Sequence, residues 1–177
     1  MKKMFFLLCI ILLLSFFASF IQAKETSKKG GLTITSPAFK NNEMIQEKFT
    51  CDGANVNPLL LISNMPPSTK SFALIVDDPD APMGIWVHWV VWNIPPDTKE
   101  IAEDHLPTGA RQGLNDFRKN RYGGPCPPSG THRYFFKLYA LDSLLDLPLN
   151  ATKSDLEKAM KGHVLGHAEI VGLYRRR

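Results

Sequence analysis

Two apolar runs separated by a polar, proline-rich break dominate the middle of the chain. Ser71 to Val76 is continuous in apolar residues after its first position, which predicts a strand buried on both faces. Val87 to Ile94, rich in Val and Trp, predicts a second strand. Thr131 to Leu141 predicts the longest one, and Ala168 to Tyr174 another near the C-terminus. Leu32-Thr33-Ile34-Thr35 is a shorter, half β-branched candidate ahead of them. Pro and Gly clusters punctuate the series at Pro66-Pro67, Pro79 to Gly84, Pro95-Pro96 and Gly123 to Gly130. One helix is predicted: Ser154 and Glu157 have capping-box spacing, Leu156, Ala159 and Met160 form an i, i+3, i+4 stripe, and Gly162 is a fitting stop. A weaker, short helix is expected near Leu144. Many strands with one or two late helices predict a mainly β fold, a β-sandwich-like domain with peripheral helices and no internal linker.

The first residues follow a different pattern. Lys2 and Lys3 precede an almost wholly apolar run from Met4 to Ile21, and Ile21-Gln22-Ala23 closes it with a small residue. Residues 1–23 therefore read as a secretory signal peptide, and the protein as exported, periplasmic or secreted. The competing reading is an uncleaved membrane anchor, since the run is nearly long enough to span a bilayer. Residues 24–31 are polar and Gly-ended and read as a flexible leader, which leaves 32–177 as a single domain.

Composition changes this picture little. The chain has 177 residues, 44% hydrophobic and 21% charged, which excludes wholesale disorder. The formal charge is +4, and removing Lys2 and Lys3 with the signal peptide halves it. Much of the rest sits at the ends, in Lys24, Lys28 and Lys29 and in Arg175 to Arg177, so a nucleic-acid partner is not expected. Cys51 and Cys126 remain after the leader. In an oxidising compartment they either bridge or stay as two quiet thiols; nothing in the spacing from Cys126 to His132 activates a nucleophile.

Three polar constellations interrupt the strands. Asp77-Asp78-Pro79-Asp80-Ala81-Pro82 puts three acids at the end of a buried strand, where each must be solvated, hydrogen-bonded or given a cation. His88 lies within Trp86-Val87-His88-Trp89-Val90-Val91-Trp92. Strict alternation would place it on one face with Trp86, Val90 and Trp92, an imidazole among aromatic walls. The third runs from Tyr122 through Gly123-Gly124-Pro125-Cys126-Pro127-Pro128 to His132-Arg133-Tyr134. Its glycines permit close backbone approach, and His132 and Tyr134 share a strand face while Arg133 points away, toward an acid. Backbone N–H groups of this loop with two side-chain donors would make an anion cradle. There is no G-x-S-x-G elbow, no H-E-x-x-H helix and no Walker loop, and no close-spaced ligand pair for a metal.

Asp78-Pro79-Asp80-Ala81-Pro82, His88, Gly124-Pro125 and Gly130 with His132-Arg133-Tyr134 resemble the two signature blocks of the phosphatidylethanolamine-binding protein family. Thr50-Cys51-Asp52-Gly53, Asn115-Asp116-Phe117, Gly123 to Pro128 and Gly162-His163-Val164-Leu165 are similar to its prokaryotic, Raf-kinase-inhibitor-like branch. The likeness extends from about Leu32 to Tyr174. It implies a β-sandwich on a large antiparallel sheet, with a small anion pocket at one end lined by Asp78, His88, Gly124, His132 and Tyr134 and walled by Trp86 and Pro125. Two departures stand out. Asn57-Pro58-Leu59-Leu60-Leu61-Ile62 lacks a proline and a tryptophan usual in that branch, and Arg118 and Arg121 stand where glycines are usual.

The expectation is a non-enzymatic binding protein for a small anion or phosphorylated headgroup. No cofactor, catalytic residue or metal is assigned, and peripheral membrane contact is compatible with such a ligand. In this reading Asp78 charges a neighbouring histidine, and binding weakens as pH rises. The alternatives are an interaction module acting on a protease or kinase, or a hydrolase using Asp78, His88 and His132; the latter lacks a visible nucleophile.

Overall fold

The computed structural model describes residues 31–176. The expected signal peptide and nearly all of the expected leader lie outside them. Among the described residues nine strands form two sheets: β1 (Thr33–Thr35), β2 (Glu43–Met44), β3 (Leu60–Ser63), β4 (Ser71–Asp78), β5 (Trp86–Ile94), β6 (Glu100–Ile101), β7 (Arg111–Gln112), β8 (His132–Leu141) and β9 (Val164–Tyr174). One α-helix, α1 (Lys153–Met160), precedes β9, and a 3-10 turn covers Glu47–Phe49. The small sheet has the order β1-β3-β6 and the large one β2-β9-β8-β4-β5-β7. The large sheet is antiparallel except at its edge, where the two-residue β2 runs parallel to β9.

Apolar periodicity explains the layering. Leu60, Ile62 and Ile101 from the small sheet pack with Phe72, Leu74, Val76, Trp89 and Val91 from the large one in a shared core. The other face of the large sheet presents Ala73, Ile75, Val90 and Trp92 to Leu145, Ala151, and the Leu156 and Met160 stripe of α1. β4 is the central strand covered on both sides, so every one of its residues is buried and its sequence shows no alternation. Burying a large apolar side chain contributes about 1.5–3 kcal/mol, so this strand's neighbours hold the molecule together.

Several local expectations need correction. No helix forms near Leu144; the stretch after β8 bends, and Asn93 fixes it by accepting from Leu145 N–H and donating to Leu145 C=O. The helix cap is not Ser154 with Glu157. Thr152 is the N-cap, its hydroxyl accepts from the Asp155 amide, and the Asp155 carboxylate accepts from the Thr152 amide. The helix stops as expected: Lys161 caps it and Gly162 takes φ 86°. β9 begins at Val164, four residues earlier than its apolar pattern suggests, because its first half is largely exposed.

Candidate functional site

The three acids leaving β4 meet three different partners. Asp77 is buried toward α1, where Lys137 Nζ lies 2.8 Å and Lys153 Nζ 2.6 Å from its carboxylate. Asp78 turns the other way: its Oδ2 is 2.7 Å from His132 Nδ1, and its Oδ1 accepts from the Asp80 amide at 2.8 Å. Asp80 accepts from Arg133 Nε, Nη2 and backbone N–H. The guanidinium holds the Asp80 carboxyl down at about 2. Arg133 thus points away from His132 and Tyr134 and pairs with an acid, as alternation along β8 predicts.

His88 is placed by a β-bulge. Val76 pairs with Trp89 and Asp77 with Val87, so one residue on β4 opposes two on β5 and His88 is the extra one. The bulge breaks the strict alternation. Val87, Val90 and Trp92 pack on the α1 side, whereas Trp89 and Val91 face the core between the sheets. His88 therefore does not share a face with Val90 and Trp92. It sits edge-on to Tyr134, with ring centroids 5.2 Å apart, and to Phe117 at 5.4 Å.

The His88 tautomer follows from its partner. Nδ1 is 2.6 Å from the Gly123 carbonyl oxygen, which can only accept, so Nδ1 carries the proton and Nε2 keeps a lone pair. Burial pushes the imidazole below its usual range and outweighs the Gly123 carbonyl and the Asp78 charge, which act the other way. His88 is thus a neutral acceptor at pH 7. Asp78 is hydrogen-bonded to His132 and not to His88, so His132 is the neighbouring histidine that it orients.

The Gly/Pro loop also differs from the expected cradle. Gly123 N–H donates to the His88 carbonyl, and Gly124 N–H to Asn55 Oδ1 at 2.6 Å. Pro125, Pro127 and Pro128 have no N–H to give. The loop's glycines serve packing: a Cβ on Gly124 would come within 2.5 Å of the Phe49 carbonyl oxygen, and one on Gly123 within 2.6 Å of the Phe117 ring. The two cysteines are bridged. The Cys51–Cys126 disulfide, with the Cys51 amide donating to Pro125 C=O, ties this loop to the segment after the 3-10 turn.

These elements enclose a cavity of about 340 Å³ at the end of β4 and β5. Asp78, Trp86 and His88 line it, three of the seven residues that the family resemblance assigns to a pocket. Ala81, Pro82, Met83, Phe117 and the Cys126-Pro127-Pro128 stretch complete it; that stretch belongs to the loop expected at the site, whereas Met83 and Phe117 were not assigned to the pocket. Phe117 stacks edge-on to Trp86, and no periodicity marks it because it lies in the long loop between β7 and β8. His132 and Tyr134 stand behind the lining: His132 through its bond to Asp78, Tyr134 through its ring contact with His88. Gly124 and Pro125 flank the site without lining it; Gly124 lines a smaller cavity of about 80 Å³ that shares Phe117 and Cys126 with the first. Burial pushes the Tyr134 phenol well up, and its hydroxyl is buried without a hydrogen-bond partner. Among the described residues no group of three or more His, Cys, Asp or Glu is arranged around a common point for a metal. The site offers a proton acceptor at His88, a carboxylate–imidazole pair, and aromatic and proline walls.

Comparison with known proteins places the whole arrangement. The sequence model described as Phosphatidylethanolamine-binding protein matches residues 35–175. A UPF0098 protein of Methanothermobacter thermautotrophicus is 51% identical over 150 residues, covering 82% of this chain and 99% of that one. A UPF0098 protein of Aquifex aeolicus is 48% identical over 152 residues, covering 82% and 89%. Among solved structures, Escherichia coli YbcL, described as a member of the mammalian PEBP family, superposes with a TM-score of 0.79. It shares 35% identity, with 84% of this chain and all of that one covered. A PEBP homologue from Chlamydia trachomatis gives 0.80 at 39% identity, covering 83% and 99%.

Proposed function

This chain belongs to the phosphatidylethanolamine-binding protein family, and from that premise we propose that it is an exported, non-catalytic binding protein whose cavity takes a small acidic headgroup, such as a phosphate monoester. The observation that carries this reading is the pairing of a neutral, acceptor His88 with the buried Asp78–His132 pair at the polar end of an otherwise apolar cavity. A pocket with few convergent polar groups and apolar walls is the usual form of a small-ligand site. The buried Tyr134 hydroxyl supplies a donor in the second layer.

The same geometry constrains how an anion binds. A fully ionised anion would meet the lone pair of His88 Nε2 and the Asp78 carboxylate, and would be repelled by both. Binding therefore brings one proton, either on the ligand, which then donates to Nε2, or on His88 itself. Phosphate monoesters carry such a proton below about pH 6. The His88 ring, with its pKa lowered by burial, is neutral at pH 7 and charges only on further acidification or on binding an anion. In both routes affinity falls as pH rises.

Calorimetric titration of residues 24–177 with inorganic phosphate and with phosphoethanolamine, at pH 6 and pH 8, tests this. The expected result is saturable binding that is at least about fivefold tighter at pH 6 and lost in His88→Ala; the loss of one hydrogen bond to a charged group, about 1.5–3 kcal/mol, suffices for tenfold or more. Equal affinity at the two pH values, or full retention in His88→Ala, would sink it.

A further inference from the structure

A second cavity, of about 200 Å³, shares no lining residue with the first. Its lining is rich in polar side chains that four separate segments bring together. The stretch after the 3-10 turn supplies Asn55 and Asn57, the loop after β6 supplies Asp104 and His105, β7 supplies Gln112, and the loop after β7 supplies Arg121. Val56, Leu106 and Tyr122 add apolar wall, and the Tyr122 hydroxyl is spent on the Phe49 carbonyl. The volume falls below the roughly 300–1,000 Å³ of sites for drug-sized ligands, so an occupant is small.

Three amides in this lining are oriented by partners that leave one end of each unused. The Trp89 indole N–H can only donate, and it donates to Gln112 Oε1 at 2.5 Å. The Gln112 NH2 is thereby turned elsewhere and has no partner among the described residues. The Gly124 amide likewise donates to Asn55 Oδ1 at 2.6 Å, which leaves the Asn55 NH2 free. Asn57 is reversed. Its NH2 donates to the carbonyls of Pro58 and Ala102, at 3.1 and 2.9 Å, so its Oδ1 is the unused end. Asn57 is only 5% exposed, and a buried acceptor left unmade is costly unless something fills the cavity to meet it.

Two opposite charges line the same cavity without pairing. Among the described residues Asp104 and Arg121 form no ion pair with each other or with any third group, and Glu103, beside Asp104, is taken by Lys48. We propose that this cavity binds a free α-amino acid with a short side chain. Its carboxylate is received by Arg121 with the Gln112 and Asn55 NH2 groups, and its ammonium by Asp104 with Asn57 Oδ1. Charge complementarity selects this class. A simple anion would be repelled by Asp104 and a simple cation by Arg121, and a neutral sugar would displace water from both charges without pairing either. A small molecule that carries both signs meets the carboxylate, the guanidinium and all three free amide ends. The inference is independent of the headgroup reading, which concerns other residues.

Calorimetric titration at pH 7 with L-serine, L-asparagine, L-aspartate and L-glutamine, each singly, tests the proposal. Residues 24–177 are used; relatives that this domain matches over 99% of their length indicate that the domain stands alone. The expected result is saturable binding of at least one of the four, with a Kd below about 1 mM. The same affinity is expected in His88→Ala, because His88 lines only the first cavity. In that variant ethylamine and acetate, which carry one charge each, should bind at least about tenfold more weakly than the amino acid. Asp104→Asn and Arg121→Gln should each weaken amino-acid binding by about tenfold or more, the loss of one charge-assisted hydrogen bond. Both should keep the thermal midpoint and the phosphate affinity of the parent. Position 104 has φ 51°, which Asn tolerates, and the Arg121 carbonyl that Asn115 uses is retained. No saturable binding of any of the four at about 10 mM, affinity unaltered by both substitutions, or loss of binding in His88→Ala would overturn the proposal, the last by placing the ligand in the first cavity. Amino-acid binding that follows these expectations in a protein with no phosphate affinity would instead remove the headgroup reading and leave this one standing.

Discussion

At the scale of single residues, His88 shows how one position departs from its pattern because of the strand it pairs with. The run Trp86 to Trp92 reads as an unbroken strand, and alternation along it groups His88 with Val90 and Trp92. The bulge opposite Val76 and Asp77 regroups it with Tyr134 and Phe117 at the cavity. Nothing local in the sequence marks that bulge; it is set by pairing with β4. His132 and Tyr134, on an unbulged strand, keep the face that their spacing predicts. Gly124 illustrates the opposite case, where the residue was identified and its role was not. Its N–H is spent on Asn55, and the missing Cβ is what lets the loop lie against Phe49 and Thr50. Gly124→Ala forces backbone atoms apart at 2.5–2.8 Å. It should therefore destabilise the fold by about 1–3 kcal/mol, as overpacking does, measured by urea unfolding. A change within about 0.5 kcal/mol would show that the loop is not packed as described.

At the scale of elements, β1 and the long strands of the large sheet were legible, and β3 and the two-residue strands were not. β4, β5 and β8 announce themselves by apolar content, because each packs in the middle of the large sheet. β2, β6 and β7 are two residues long and carry no period at all. β3 escaped notice because Leu59 to Ile62 reads as a continuous apolar run, although Leu61 is exposed and the strand does alternate. The helix was legible through its stripe, but its frame was not. Thr152–Asp155 and Ser154–Glu157 offer the same capping spacing two residues apart. The upstream frame also begins the helix at Lys153, which reaches buried Asp77. Thr152→Ala should cost about 1 kcal/mol and Ser154→Ala less than about 0.5 kcal/mol in the same unfolding assay. The reverse order would return the cap to Ser154.

At the scale of the molecule, the two sheets and α1 build one end into a site. The central strand β4 delivers Asp77 to the helix layer and Asp78 to the cavity from adjacent positions, using the two-residue period of a strand to separate a carboxylate held by two lysines from one that lines the cavity. The disulfide joins residues 75 positions apart and fixes the proline wall of the cavity to the turn that follows Glu47–Phe49. The sequence carried the pair of cysteines and the acid cluster openly. It could not carry the partner assignments, because Asp78 with His132 and Gly123 with His88 are contacts across 54 and 35 residues that only the folded sheets bring together. The central claim is that an acidic ligand is bound together with a proton at a neutral His88. The most direct measurement is the proton uptake on phosphate binding, obtained by calorimetry at pH 8 in buffers of different ionisation enthalpy. The account predicts uptake of roughly one proton per ligand at pH 8, shrinking toward zero at pH 5, where the ligand already carries it. Saturable binding at pH 8 with no proton taken up would contradict it.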